Sequence, residues 1–322
     1  TGASLAELGL PVTVVAQIGV DLHGDELIRQ WAQAGMDTSR VIRDPSLSTS
    51  VAVLPVYEDG GRGCWVDLSA NDKLDVPAVL AALATSAPNE AESAVSCVPP
   101  NSLAAVHVGY PHLLRGLQGT SLYTLLDSLA QRLNGCIFSV DVNGVTTDSH
   151  ESGVLQPALP LIDLLHANLE EARILAGSRD RDGIPCQSSD GQFATSSSPQ
   201  AFAGGSAEEL AELRHIAGKL HHDGVAIVAV TLGARGAYIS VHKNSSRLCR
   251  VPQLERATTR WSGMDQLSPA PAAPTRINAN GAGDAFTAGV LASLLRATPL
   301  SLEEALLEGQ LTALRRISVD VH

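Results

Sequence analysis

The sequence predicts an α/β sandwich built on a mostly parallel sheet, and three observations carry that reading. Strand-like and helix-like segments alternate along most of the 322 residues, the order that puts helices on both faces of a parallel sheet. The run Val225-Ala226-Ile227-Val228-Ala229-Val230-Thr231 is apolar throughout and bounded by turns, as a central strand covered on both faces must be. Towards the C-terminal end, residues 278–286 read Asn-Ala-Asn-Gly-Ala-Gly-Asp-Ala-Phe. This is a glycine-rich turn opening an apolar, helix-prone run that reaches residue 296.

In chain order, residues 1–9 read as a helix ending on Gly9, a residue that suits a helix C-terminus. Residues 12–18 read as a buried strand, 19–24 as the turn after it, and 25–34 as a second helix stopped by Gly35. Residues 49–57 and 63–69 are β-rich and flank the glycine turn 58–62, a hairpin pattern. Pro55 argues for an edge position there. Residues 86–104, rich in Ser, Pro, Ala and Glu, read as a surface insertion.

A short strand at 105–109, a helix at 119–133 and a strand at 136–142 come next. The last of these carries Asp141 and Asn143 at its C-terminal end, where open α/β sheets place ligands. An Asx turn explains the same pair equally well. The next strand, 161–166, leads to Asn168 and Glu171, whose spacing puts them on one helix face and also fits a capping box. Residues 177–206 are Ser-, Gly- and Asp-rich without apolar period and read as a second insertion. A helix at 207–220 precedes the central strand. Residues 232–237 form a glycine turn containing Gly233 and Gly236, followed by a strand at 238–241. Residues 243–275 read as a third insertion, and 302–318 as an amphipathic helix.

Composition narrows the function. Net charge is −12, from 22 basic and 34 acidic residues, and aromatics make up 3%. Neither a nucleic-acid nor an anionic-membrane surface fits that balance. Five widely spaced cysteines without a C-x-x-C suit a reducing, cytoplasmic compartment. No run is long and apolar enough to span a membrane.

The glycine turn at 281–283 carries the chemistry. A helix N-terminus leaves its first amides without intrahelical partners and turns a positive dipole end outward, a combination that attracts anions. Glycine lets that backbone approach a phosphate closely. Asp284 then falls in the first turn, where a second negative charge opposes simple anion binding. It makes sense as a base that takes a proton from a hydroxyl attacking the phosphate, although an acid complementing the helix dipole is the simpler alternative. A P-loop is absent, because the one Gly-Lys, Gly218-Lys219, is followed by Leu220. A dinucleotide fingerprint is not expected either, since 322 − 286 = 36 residues follow Phe286 in this sequence.

The Gly281-Ala282-Gly283-Asp284 run resembles the second signature of the ribokinase-like family, the PfkB carbohydrate kinases. Further segments agree in order: Gly19-x-Asp21-x-x-Gly24, Ala70-Asn71-Asp72, Asp141-x-Asn143, Asn168-x-x-Glu171 and Thr231-Leu232-Gly233-x-x-Gly236-Ala237. The resemblance covers nearly the whole chain and implies one three-layer α/β/α domain over 1–322, with the hairpin at about 49–69 as a small β lid.

The resemblance further implies ATP and Mg²⁺ as cofactors and a sugar as the small-molecule substrate. Asp284 is then the catalytic base, and the amides of Gly281, Ala282 and Gly283 form an anion hole. Thr231, Gly233, Gly236 and Asn168 fall on the nucleotide. Glu171 and Asn168 fall on Mg²⁺ through water, and Asp141 and Asn143 on the phosphate or substrate side.

Asn278 and Ala279 replace the family's Asp and Thr ahead of the cradle, which leaves a monovalent-cation requirement open. The family's Gly-Gly segment and first strand precede the point where this chain starts, so an N-terminally incomplete sequence is expected. A nucleoside kinase of the same family and a non-catalytic nucleotide-binding relative stay open as alternatives, as does a homodimer.

Overall fold

The computed structural model describes residues 1–55, 65–84, 103–133, 135–142, 153–177, 206–249, 251–273, 279–298 and 300–318. The elements in order are α1 (Gly2–Glu7), β1 (Gln17–Gly19), α2 (Leu22–Gln33), β2 (Ile42–Asp44), β3 (Val51–Val53), β4 (Trp65–Asp67) and α3 (Val76–Ala84). They continue with β5 (Ala105–Gly109), α4 (Thr120–Arg132), β6 (Ile137–Asp141), β7 (Leu164–Asn168), α5 (Leu169–Leu175), α6 (Ala207–His222) and β8 (Ile227–Thr231). The last are β9 (Ala237–Val241), α7 (Ser245–Leu248), α8 (Pro252–Trp261), β10 (Asp265–Ser268), α9 (Ala282–Leu294) and α10 (Leu302–Ile317).

Six strands form the central sheet in the order β10-β9-β8-β7-β6-β5. Strands β5 to β8 run parallel, and β9 is antiparallel to both of its neighbours. Because side chains alternate across a strand, each strand supplies two cores. Phe138, Val140, Leu165, Val228, Val230 and Tyr238 join the core built with α4, α5 and α6. Ile137, Leu164, Ile227, Ala229, Ile239 and Val241 face the other layer with Trp261, Phe286, Leu291 and Leu306. The result is the three-layer α/β/α sandwich that the alternating sequence pattern implies.

Three local readings change. The strand expected over 12–18 narrows to β1, which pairs only with β2 in a separate two-stranded sheet, and residues 12–17 stay half-buried. The strand expected at 161–166 begins at Leu164, because the prolines at 157 and 160 hold residues 156–161 in a 3-10 helix. Residues 243–275 are not a bare insertion. They supply α7, α8 and the edge strand β10, and bury Leu248, Val251, Leu254 and Trp261. The hairpin strands β3 and β4 pair as expected, while the turn between them lies outside the described residues. So do most of 86–104 and 177–206.

The Gly-x-Asp-x-x-Gly turn has a local structural explanation. Asp21 caps α2 by accepting from the Gly24 amide at 2.8 Å, and it also accepts from the Thr49 amide and hydroxyl at 2.8 and 2.7 Å. Those hydrogen bonds, the Thr49 amide first among them, hold its carboxyl down at about 2.

Helices α9 and α10 meet at two glycines. A Cβ on Gly289 would lie 2.6 Å from the Glu308 carbonyl oxygen and 2.8 Å from the Gly309 Cα. Replacing a helical glycine by alanine ordinarily gains about 1 kcal/mol of propensity. Overpacking costs about 1–3 kcal/mol, and here the obstruction is backbone that cannot rotate away. Gly289→Ala is therefore expected to lower stability by about 1–2 kcal/mol, read as a lower urea midpoint with an unchanged slope. A raised midpoint would show that the two helices can separate at no cost.

Candidate active site

The register of the sheet gathers polar residues at one edge. Gly109 pairs with Asp141 and Asp141 with His166 across β5, β6 and β7, while Asn168 pairs with Thr231 across β7 and β8. All lie at or beside the C-terminal ends of parallel strands. The two-residue period also gives Ser139, Asp141, His166 and Thr231 the same face as the apolar residues beneath α9. That face is apolar at one end and polar where the glycine turn docks.

Helix α9 starts inside this turn. Its N-cap, Gly281, has φ 76° in the left-handed region, which glycine adopts without strain. Lacking a side chain, it cannot cap the first amides, so the positive helix end stays open to an anion. The Arg316 guanidinium of α10 lies close by, 3.3 Å from where a Gly281 Cβ would be, and adds positive charge. Gly283 is as closely fitted, since a Cβ there would sit 3.2 Å from His166 Cε1. Of the three amides expected to form an anion hole, that of Ala282 donates to the Ala279 carbonyl at 3.2 Å.

Asp284, one-quarter exposed, is held by groups from two other parts of the chain. Its Oδ1 accepts from the Thr1 nitrogen at 2.9 Å and the Thr1 hydroxyl at 2.8 Å. Its Oδ2 accepts from the Tyr110 hydroxyl. Burial pushes the carboxyl upward, while the hydrogen bonds from the Tyr110 and Thr1 hydroxyls favour its charged form.

Asp141, placed by the sequence on the phosphate or substrate side, is turned inward and 2% exposed. Its Oδ1 lies 3.1 Å from His166 Nδ1, and its Oδ2 accepts from the Thr287 hydroxyl at 3.2 Å. Burial disfavours the charged form of each partner, yet their mutual attraction prevails. It holds Asp141 below and His166 above its ordinary value. Thus Asp141 is tied to α9 through Thr287 rather than presented to a ligand. The β-strand period explains the turn inward, since it gives residue 141 the same face as 139 and 137. Asn143 lies outside the described residues, as does Asn278.

Asn168 and Glu171 form the capping box of α5. The Asn168 side chain accepts from the Glu171 amide at 2.9 Å, and the Glu171 carboxylate accepts from the Asn168 amide at 2.9 Å. Asn168 is exposed and Glu171 is 5% exposed. Among the described residues, no group of three or more His, Cys, Asp or Glu side chains could hold a metal. This arrangement fits Mg²⁺ only in its hydrated form, which keeps several waters and needs one or two protein oxygens. Thr231 meets His166 Nε2 at 3.3 Å. Gly233, at φ 62°, has open space where a Cβ would be, whereas Gly236 makes room for the Ser268 carbonyl of β10.

The sequence reading passed over Tyr110, His166, Thr287 and Thr1. Two of these left a visible signal. His166 is a polar residue inside an apolar strand run, and Tyr110 directly follows a strand-ending glycine.

The described residues contain no helix long and apolar enough to cross a membrane. The family model for the pfkB family carbohydrate kinases matches residues 3–318. A search of curated proteins gives no match. Among solved structures, the chain is similar to the Arabidopsis thaliana ribokinase complexed with ribose and ATP, with a TM-score of 0.65 and 19% identity over 99% of this chain and 80% of that one. It is also similar to the Vibrio cholerae O395 fructokinase bound to fructose, ADP and calcium, with a TM-score of 0.61 and 19% identity over 97% and 80%. A third, the Thermotoga maritima ribokinase, has a TM-score of 0.61 and 18% identity over 100% and 80%. At these identities the solved structures speak for the fold, and the match over residues 3–318 speaks for more: the chain belongs to the pfkB family of carbohydrate kinases.

Proposed function

We propose that the chain transfers a phosphoryl group from ATP, with Mg²⁺, to a hydroxyl of a sugar or sugar-like small molecule. One observation carries this reading: Asp284, hydrogen-bonded by the Tyr110 and Thr1 hydroxyls, sits in the first turn of a helix whose N-cap is glycine, at the C-terminal edge of a parallel sheet. A carboxylate at that point can take the proton of an acceptor hydroxyl. The amides and dipole of α9, with Arg316 beside them, favour the negative charge that gathers on a transferring phosphoryl group. Asn168 is exposed and can reach a hydrated cation, while Glu171 acts through water. Thr231 and Gly233 are assigned to the nucleotide side. When bound, Mg²⁺ and ATP supply the transferable group and screen its charge. Phosphoryl transfer of this type depends on positioning and charge stabilisation, and those are what these residues offer.

The test is ATP consumption with Mg²⁺ across a panel of sugars and nucleosides, with products identified. Turnover of a sugar supports the proposal, and turnover of nucleosides alone replaces the sugar with a nucleoside. ATP binding without turnover of any acceptor favours a non-catalytic nucleotide binder. Failure to bind ATP overturns the reading.

A further inference from the structure

Tyr110 follows the last residue of β5 and has φ 56° and ψ 55°. Among the described residues it is the one non-glycine residue with positive φ. A bulky side chain rarely takes this conformation, and such strain persists only where the surroundings over-determine it. Here the Tyr110 amide donates to the Asp141 carbonyl at 3.0 Å, and its own carbonyl accepts from the Leu113 amide at 2.9 Å. The next residue, Pro111, is buried. The strained backbone places a phenol hydroxyl on Asp284 Oδ2.

An ionised carboxylate offers about four lone-pair positions, two on each oxygen. Both positions on Oδ1 are taken by the nitrogen and hydroxyl of Thr1. On Oδ2 the phenol takes one. The remaining position is on the oxygen that Tyr110 holds, so any acceptor hydroxyl that gives its proton to Asp284 meets an oxygen oriented by the phenol.

We propose that Tyr110 is a positioning residue for the transfer, its hydroxyl fixing Asp284 Oδ2 so that one lone pair stays aimed at the acceptor. The inference rests on the reading of Asp284 as base. In the step it serves, the acceptor O–H bond breaks, its proton passes to Oδ2, and the acceptor oxygen bonds to the phosphorus as the bond to the leaving diphosphate breaks. Tyr110 keeps its own proton throughout. Among the described residues, the titratable groups around Asp284 are Tyr110, His107 of β5, Asp141 of β6 and His166 of β7. Arg316 of α10 lies by the neighbouring Gly281.

The experiment compares the full chain with Tyr110→Phe and Tyr110→Gly, reading the Asp284 carboxyl by carbon-13 NMR titration alongside kcat, KM and their pH profiles. In Tyr110→Phe the carboxyl is expected to titrate at higher pH, with the acid limb of kcat/KM moving the same way. We expect kcat to fall roughly 10–100-fold, the loss of one hydrogen bond to a charged group, while KM for ATP changes less than about twofold. Tyr110→Gly suits the left-handed backbone and should lose as much, which separates the phenol from the dihedral angle. An unmoved titration in Tyr110→Phe, or wild-type kcat in Tyr110→Gly, overturns the assignment of Tyr110. A wild-type chain that phosphorylates no acceptor overturns the underlying reading instead, and with it the positioning role.

Discussion

Asp284→Asn is expected to lower turnover by about 10²–10⁴-fold while ATP binds as well as before. The substitution is nearly isosteric. The amide oxygen can still accept from Thr1, and the Tyr110 hydroxyl can rotate to accept from the amide nitrogen, so the local packing survives. What disappears is an anionic oxygen able to take a proton. Removing one negative charge from beside the anion-attracting end of α9 cannot weaken phosphate binding and should strengthen it slightly. An acid that merely complements a helix dipole contributes about 0.3–1 kcal/mol, whereas a loss of 10²–10⁴ corresponds to about 2.7–5.5 kcal/mol of barrier. The two roles therefore differ in size as well as kind. Measuring kcat by coupled assay and ATP affinity by calorimetry separates them. Turnover within about threefold of wild type would leave Asp284 as a helix-dipole residue.

Much of the fold that carries this candidate site was legible in the sequence because its signals are local. The apolar run 225–231 fits a central strand, and residues 227–231 of it lie in the middle of the sheet as β8. Asn168 and Glu171, three residues apart, form the capping box that their spacing suggests. The glycine turn opens a helix as read, although α9 begins at Ala282, inside the turn.

What was not legible depends on contacts between distant segments. Tyr110 reaches Asp284 across 174 residues, and no spacing rule connects a strand-end tyrosine to a helix 174 positions away. Asp141 reads as a ligand-facing acid until the fold supplies His166, whose paired strand makes it a buried partner. The segment 243–275 ends in Pro- and Ala-rich sequence that reads as an insertion, whereas the face of α8 bearing Leu254 and Trp261 is buried in the fold.

That segment is fastened by a buried ion pair, whose disruption should give the largest loss of stability without loss of chemistry. Asp163 is fully buried, and its Oδ1 accepts from Arg247 of α7 at 2.8 Å. Its Oδ2 accepts from the Phe138 amide at 2.8 Å, while Arg247 also donates to the carbonyls of Gly224 and Ile162. One guanidinium thus joins α7 to the starts of β7 and β8. Removing one member of a buried pair costs about 3–5 kcal/mol, because the remaining charge is left uncompensated. Asp163→Asn keeps the volume and one acceptor, and should still lose about 3 kcal/mol, a large share of the 5–15 kcal/mol typical of a domain.

Urea unfolding measures that loss, and hydrogen exchange shows where it begins. We expect α7, α8 and β10 to open before the parallel strands. The double variant Asp163→Asn/Arg247→Met should recover part of the loss, since it removes the stranded cation. Asp163 immediately precedes β7, whereas Asn168 is the last residue of that strand. At about 3.3 Å per residue the strand separates the pair from the site by roughly 16 Å. Turnover under native conditions should therefore remain at the wild-type level. If kcat fell together with stability, the base of β7 would be coupled to its catalytic end, and the sheet could no longer be treated as a rigid platform for Asp284.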